Sequence, residues 1–338
     1  MLGSRWIAMV VALTASALAP AEARAEDFYR GKQIRMIVGT GAGQDYDIWA
    51  RLIGRHMQRH IPGEPAFVTE DMPGGGHIVA TNYLYNTAAR DGTVLGMVSR
   101  NITDAAILKF PNVRFDPERF NWIGSPEINH RVFFASRASG VTDARQLLER
   151  ELVVGAPGLG QAVTTAPILL RNVLGMKLKI IMGYAAPETI VLAMQRGEVG
   201  GFVDSIGAAD GQRRKWIDSG DMRALFSMEE TPVGWLPIPT IFELLATREQ
   251  RQIFSFFASN EELGRPLMAP PGVPAERIDL LRRAFDATLA DPAFLEDARG
   301  LGFETAPKTG EAVQALVAAA VATPQDIRET VAQAAKLE

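Results

Sequence analysis

Residues 34–51 read IRMIVGTGAGQDYDIWAR, and the rest of the chain is arranged around this stretch. A short apolar run rich in β-formers (Ile34, Met36, Ile37, Val38) breaks into Gly39, Gly41 and Gly43. Apolar residues then return at helical spacing at Tyr46, Ile48, Trp49, Leu52, Ile53 and Met57. The reading is strand, glycine loop, helix. Glycines let a backbone turn sharply against a ligand, and the unpaired N–H groups of a helix's first turn, with the helix dipole, attract an anion. The loop is therefore a candidate seat for a carboxylate or phosphate, or a turn that carries glycines for geometry alone. It is not the dinucleotide fingerprint, because Gln44 stands where the last glycine of G-x-G-x-x-G would be.

Upstream, residues 1–25 carry Arg5, an apolar run from Trp6 to Leu18 broken only by Thr14 and Ser16, and then Ala23-Arg24-Ala25. This pattern predicts a secretory leader cleaved near Ala25 and an exported mature chain. The run is short for a membrane span, and no later stretch is long and apolar enough to be one. Without Arg5, Arg24 and Glu22 the chain keeps 33 basic and 38 acidic residues, and no basic stripe argues for nucleic acid. The absence of cysteine excludes a disulfide framework, a thiolate zinc site and a cysteine nucleophile. At 338 residues and 47% hydrophobic composition, the chain is long enough for two α/β lobes.

Downstream, residues 66–69 (AFVT) predict a second strand that runs into Met72, Pro73 and Gly74-Gly75-Gly76, with a helix from Ile78 to Leu84. Asp91-Gly92 turns the chain into a third strand, Thr93 to Val98, ending at Ser99-Arg100-Asn101. In an open parallel sheet such loops gather at the carboxyl edge, where ligands bind. A second series begins at Arg131–Ser136, with a helix over Ala144–Arg150 capped by Thr142 or Asp143. Strand Leu152–Gly155 then breaks into Gly158-Leu159-Gly160-Gln161 before a helix from Ala162 to Leu174, with Thr164 and Thr165 in its first turn. The opening device is thus repeated. Strands follow at Lys177–Met182, Glu198–Ser205 and Met222–Phe226, with helices at Glu188–Arg196 and Gln212–Ile217. A long amphipathic helix is predicted over Ile241–Phe257, a strand at Arg265–Ala269 and two closing helices at Ala275–Leu289 and Pro324–Lys336. The pattern is α/β: two interleaved lobes joined by crossovers near Glu127 and Leu263, residues 26–127 with 263–338 forming one and residues 128–262 the other.

The ordered set DFYRGKQIRMIVG (27–39), the glycine loop with Tyr46-Asp47, DMPGGGH (71–77), NYLYNTAARDGTVLGMV (82–98) and PPGVPAERIDLLRRAF (270–285) resembles the extracytoplasmic solute-binding proteins of tripartite tricarboxylate transporters, the TctC or Bug family. The likeness spans the mature chain. It implies a type II periplasmic-binding-protein fold, a Venus flytrap closing over a small organic acid, and delivery of that acid to membrane permease subunits, with no catalysis and no cofactor. It implies ligand contacts from Thr40, Gly41, Ala42, Gly43, Gln44, Tyr46 and Asp47, from the loop of Gly75, Gly76 and His77, and from the second-lobe loop of Gly158, Leu159, Gly160, Gln161, Thr164 and Thr165. The sequence departs from the glycine- and proline-rich family loop at Gln44, Asp45 and Tyr46. The extra acid at Asp45 suits a ligand with an amino or hydroxyl group, or simply faces solvent.

Each candidate has a plainer role beside the functional one. Asp47 at a helix start caps it or contacts ligand, and Asp204 at a strand end is open to either role. His77 donates to an anion or is exposed, and Arg100 clamps a carboxylate or forms an interlobe ion pair. Trp49 and Trp216 fit core faces. His56 and His60 lie four apart with no acidic third ligand nearby, so no metal is expected. A Rossmann-type oxidoreductase gripping ribose through Glu70 or Asp71 is the enzymatic rival, weakened by the broken fingerprint. No G-x-S-x-G elbow supports a hydrolase. A receptor serving a sensor rather than a permease is the other alternative. A monomer is the simplest state for a hinged receptor.

Overall fold

The computed structural model describes residues 28–127, 130–158, 162–184, 187–206, 211–259 and 261–336. The opening stretch forms β1 (Gln33–Val38) and α1 (Asp45–Met57). They are followed by β2 (Ala66–Asp71), α2 (Ile78–Asn86), β3 (Val94–Met97), α3 (Ile102–Ile107) and β4 (Asn121–Ser125). Strands β1, β2 and β3 are parallel, with Val38 beside both Asp71 and Met97. Their carboxyl ends therefore deliver the three polar loops to one edge. The strand alternation is weak because β1 and β3 lie inside the sheet and bury both faces. Helix α1 covers the sheet with Trp49, Leu52, Ile53 and Met57, and Trp49 stacks on Phe303 with ring centres 4.4 Å apart.

The second sheet is built from one contiguous stretch: β5 (His130–Ser136), β6 (Leu152–Ala156), α4 (Ala162–Leu174), β7 (Leu178–Met182), α5 (Pro187–Gln195), β8 (Gly201–Ile206), α6 (Gly211–Asp218), β9 (Met222–Ser227) and α7 (Arg248–Ser259). Its order is β7-β6-β8-β5-β9, with β6, β7 and β8 parallel and β5 antiparallel to β8 and β9. The chain then returns through β10 (Leu267–Ala269), which enters the first sheet antiparallel between β3 and β4. Helices α8 (Ala275–Ala290) and α9 (Pro292–Gly300), strand β11 (Lys308–Thr309), and helices α10 (Gly310–Val321) and α11 (Gln325–Ala334) complete it. The first sheet reads β11-β4-β10-β3-β1-β2, a mixed order unlike the dinucleotide fold. The last helix lies back on the second lobe, where Val331 joins a core with Leu169 and Phe257, and Asn172 donates to the Ala334 carbonyl at 2.8 Å.

Several local expectations are corrected. Residues 241–257 are not one helix: a 3₁₀ turn over Ile241–Leu244 gives way to extended backbone at Leu245, and α7 starts only at Arg248. The Gln250 carboxamide, accepting from the Ala246 and Thr247 N–H groups, holds that restart. The element after Asp143 is a short 3₁₀ turn, Ala144–Leu148, closed by an Asp143–Gln146 capping box. The end of the chain holds four helices rather than two, and β4 and α3 add to the elements expected from periodicity.

Candidate functional site

The loop after β1 is closed by its own acid. Asp47 Oδ2 accepts from the Gly43 N–H at 2.7 Å, its other oxygen lies 2.6 Å from Arg51 Nε, and the side chain is buried. Asp47 is thus committed to the loop and helix start, while Gly41, Ala42, Gly43 and Gln44 arch outward from it. Burial and the neighbouring Asp47 carboxylate push the Asp71 carboxyl, at the end of β2, upward. A Cβ built on Gly41 meets nothing within 4 Å, so this glycine leaves open space at the cleft edge.

His77 locks the three first-lobe loops together. The chain reaches it through four successive left-handed residues, with φ of 139°, 56° and 61° at Gly74, Gly75 and Gly76 and 74° at His77 itself. Only glycines take such a run cheaply. The ring then lies where a Cβ on Gly39 would be, 2.2 Å from its Nδ1. It packs edge-on against Tyr46 with centroids 4.8 Å apart, and its Nδ1 accepts the Ser99 N–H at 3.1 Å. The imidazole proton therefore sits on Nε2. Burial, then the charge of Arg265, pulls His77 down to about 4, so the ring is neutral at physiological pH. Beside this lock, Thr40 Oγ1 and Asn101 Oδ1 are buried with no hydrogen-bond partner among the described residues. Buried polar atoms of this kind are normally satisfied, and a ligand or water at the cleft edge would do so.

In the second lobe Thr164 is buried and donates to the Gly158 carbonyl at 2.8 Å, tying Gly158 to the first turn of α4. Gly158, like Gly41, has nothing within 4 Å of a built Cβ. Leu159, Gly160 and Gln161 lie outside the described residues; Thr165 is partly buried on α4. Asp204, at the end of β8, is held by Arg213 Nε at 2.9 Å and by the Ser205 N–H at 2.8 Å. Arg213, from the first turn of α6, has no motif around it that marks it in the sequence.

Between the lobes lies a buried charge network. Glu261 takes Arg100 Nη2 at 2.6 Å on one oxygen and Arg131 Nη2 at 2.5 Å on the other. Arg265 pairs with Glu127, reaches Asp45 Oδ2 at 2.9 Å and lies over the Tyr46 ring at 5.1 Å. The two crossovers thus exchange partners: each carries a glutamate and, four residues on, an arginine (Glu127 and Arg131, Glu261 and Arg265), and each arginine pairs with the other segment's glutamate. None of these four residues stands among the expected contacts, and the double E-x-x-x-R spacing is the signal that could have marked them. Arg100 adds a link across the cleft floor, its Nη2 3.4 Å from Ser205 Oγ. Glu229 lies against the same network, accepting the Arg131 N–H at 2.7 Å. Burial and the charge of Glu261 push its carboxyl up to about 7.

His56 and His60 turn to separate carboxylates. Their Nε2 atoms face Asp297 at 2.8 Å and Asp291 at 3.2 Å, and among the described residues no group of three ligating side chains gathers. Trp49 is fully buried and Trp216 packs partly buried against the second-lobe core.

No protein-family model matches the chain. A curated relative, a UPF0065 protein of Bordetella bronchiseptica, is 25% identical over 284 residues, which span 81% of this chain and 78% of that protein. Among solved structures, a TctC solute-binding protein from Polaromonas without ligand superposes with a TM-score of 0.68 at 16% identity, over 89% of this chain and 99% of its own. The periplasmic binding protein BugD gives 0.65 at 22% identity, over 90% and 98%. MatC from Rhodopseudomonas palustris, with bound malate, gives 0.65 at 18% identity, over 88% and 99%. The chain therefore has the two-lobed type II periplasmic-binding-protein fold, with TctC and Bug solute-binding proteins as its structural neighbours.

Proposed function

We propose that this chain, with a fold shared by TctC and Bug proteins, is an extracytoplasmic solute-binding protein. In this reading it captures a small organic acid between its lobes and delivers it to the permease subunits of a tripartite tricarboxylate-type transporter. The observation that carries the reading is the pair of constructions, one per lobe, in which a strand leads through glycine to a helix start: Gly39–Asp47 into α1, and β6 with Gly158 before α4. Each helix start offers N–H donors and a dipole to one carboxylate. Charge-assisted hydrogen bonds of this kind contribute about 1.5–3 kcal/mol each, and two seats suffice for a small diacid. The unpartnered hydroxyl of Thr40 and carbonyl of Asn101 suit a hydroxyl on the acid. The malate held by MatC belongs to that class. Closure about the two crossovers is the motion that brings the seats together. The leader over residues 1–25 supports export, and among the described residues no helix is long and apolar enough to cross a membrane.

The test is thermal unfolding against mono-, di- and tricarboxylates, amino acids, sugars and nicotinamide dinucleotides. A true ligand at a hundred times its Kd adds about 2.7 kcal/mol to the native state. Stabilisation by one class of carboxylate is the expected result. Stabilisation by dinucleotides alone replaces the reading with an oxidoreductase, and no shift with any carboxylate overturns it. Co-purification of permease subunits from solubilised membranes tests the transport half of the reading.

A further inference from the structure

We propose that Arg265 is a carboxylate-binding subsite of this cleft and that Asp45 is its built-in occupant, which the carboxylate of an incoming organic acid displaces. The inference rests on the solute-binding reading and adds to it a pair of residues that neither the glycine loops nor the helix starts supply.

The argument begins with the charges of the floor. Three guanidinium groups, Arg100, Arg131 and Arg265, are buried there, and the carboxylates buried against them are Glu127 and Glu261. Glu229 lies against the same network, and burial pushes its carboxyl up to about 7, so near pH 7 it adds only part of a negative charge. Three guanidiniums against two paired glutamates leave the floor with positive charge still to be balanced. Asp45 supplies the balancing charge, 2.9 Å from Arg265 Nη2.

The two partners of that pair are unequal. The Arg265 side chain is 10% exposed, fixed by Glu127 on Nη1 and by the Tyr46 ring beneath it, whereas Asp45 is 67% exposed at the first position of α1. A guanidinium fixed in this way offers a preorganised fork for one more carboxylate. An exposed aspartate held by a single ion pair contributes little, and on leaving it stays beside the positive end of the α1 dipole. A ligand carboxylate would take its place as the lobes close and water leaves, where the same charge pair is stronger. The group displaced and the group arriving are chemically alike, so the subsite selects an acid. His77 and Tyr46 wall it without adding charge: the imidazole is neutral, and the phenol ring faces the guanidinium.

The experiment is isothermal titration of malate and a series of other dicarboxylates into the wild type, Asp45→Asn, and Arg265→Gln combined with Glu127→Gln so that no buried carboxylate is left unpaired. In Asp45→Asn the competitor is gone, and the Kd should tighten roughly twofold to fivefold, the range that corresponds to loss of an exposed ion pair. In the double variant it should weaken at least about tenfold. Urea unfolding of both variants separates lost binding from lost folding. Weaker or unchanged binding in Asp45→Asn, with the wild type still binding, overturns the subsite and leaves the solute-binding reading intact. Weakening confined to the amino-bearing dicarboxylates of the series, aspartate and glutamate, would mean that Asp45 holds a ligand ammonium, and it too overturns the subsite. A wild type that binds no carboxylate overturns both readings.

Discussion

Gly39→Ala isolates the lock on which the first-lobe loops depend. A methyl group at this position would lie 2.2 Å from His77 Nδ1 and 2.6 Å from Cγ, so the ring must leave its seat. Its departure breaks the bond from the Ser99 N–H, about 1 kcal/mol, and the edge-on contact with Tyr46, about 0.5–1.5 kcal/mol. Overpacking at a closed site costs a further 1–3 kcal/mol or so, while release of the left-handed backbone at His77 returns about 1 kcal/mol. The expected net cost is about 3 kcal/mol, read by urea unfolding at neutral pH. The same substitution in a His77→Gly background meets no ring, and there its cost should drop below about 0.5 kcal/mol, the ordinary range for an uncrowded position. The difference between the two backgrounds is the coupling energy of the cycle. Equal costs in both backgrounds would refute the lock, as would a stable, unshifted Gly39→Ala protein.

The same ring enters a prediction about pH. His77, depressed to about 4, stays neutral in the native state while the unfolded residue protonates below about 6.5, so its contribution to stability is lost as pH falls through that window. Glu229, raised to about 7, acts in the opposite sense: the unfolded carboxyl ionises above about 4.5 while the native one stays protonated, so stability is lost as pH rises toward 7. Each term amounts to roughly 3 kcal/mol at the far side of its window, so the two nearly cancel. Glu229→Gln should make stability rise more steeply with pH between about 4.5 and 7 than in the wild type, and a parallel profile in urea titrations would contradict this. Glu261→Gln leaves Arg100 and Arg131 without their carboxylate in the interior, and should cost about 3–5 kcal/mol in the same assay. Gly41→Val and Gly158→Val enter open space at both seats, so melting should change by no more than about 0.5 kcal/mol in stability while carboxylate affinity falls beyond tenfold or so. Unchanged affinity in both variants would dismiss the two-seat arrangement.

What could be read from the sequence was local and periodic. The strand and helix on either side of the glycine loop at Ile34–Arg51, and the strand before Gly158, were legible, and the predicted helix over Ala162–Leu174 coincides with the observed one. The break near Leu245 escaped because apolar spacing continues across it, although Thr247 and Gln250 already carried the capping pattern that restarts α7. Strand β4 reads as a loop, with Asn121, Gly124 and Ser125 in five residues, and owes its extended form to β10 and β11 on either side. The charge network left only the repeated E-x-x-x-R spacing as a local trace, and its pairing could not be read from it: Arg100 meets Glu261, and Arg265 meets Glu127, across separations that no window spans. His77 likewise gains its role from Gly39 and Tyr46 after β1 and from Ser99 after β3, segments that only the sheet brings to its own loop.

The placement of β10 also bears on how the molecule is assembled. Leu267 pairs with Met97 on one side and Gly124 on the other, so the middle of the first sheet stays open until that late segment arrives. The second sheet draws all its strands from one contiguous stretch, so its nucleus can form while the first is still waiting. Until β10 docks, β3 and β4 present unpaired edges, the kind of surface on which half-made chains stick to one another. A chain cut short before residue 265 is therefore a half-sheet with two sticky margins and no means of closing them.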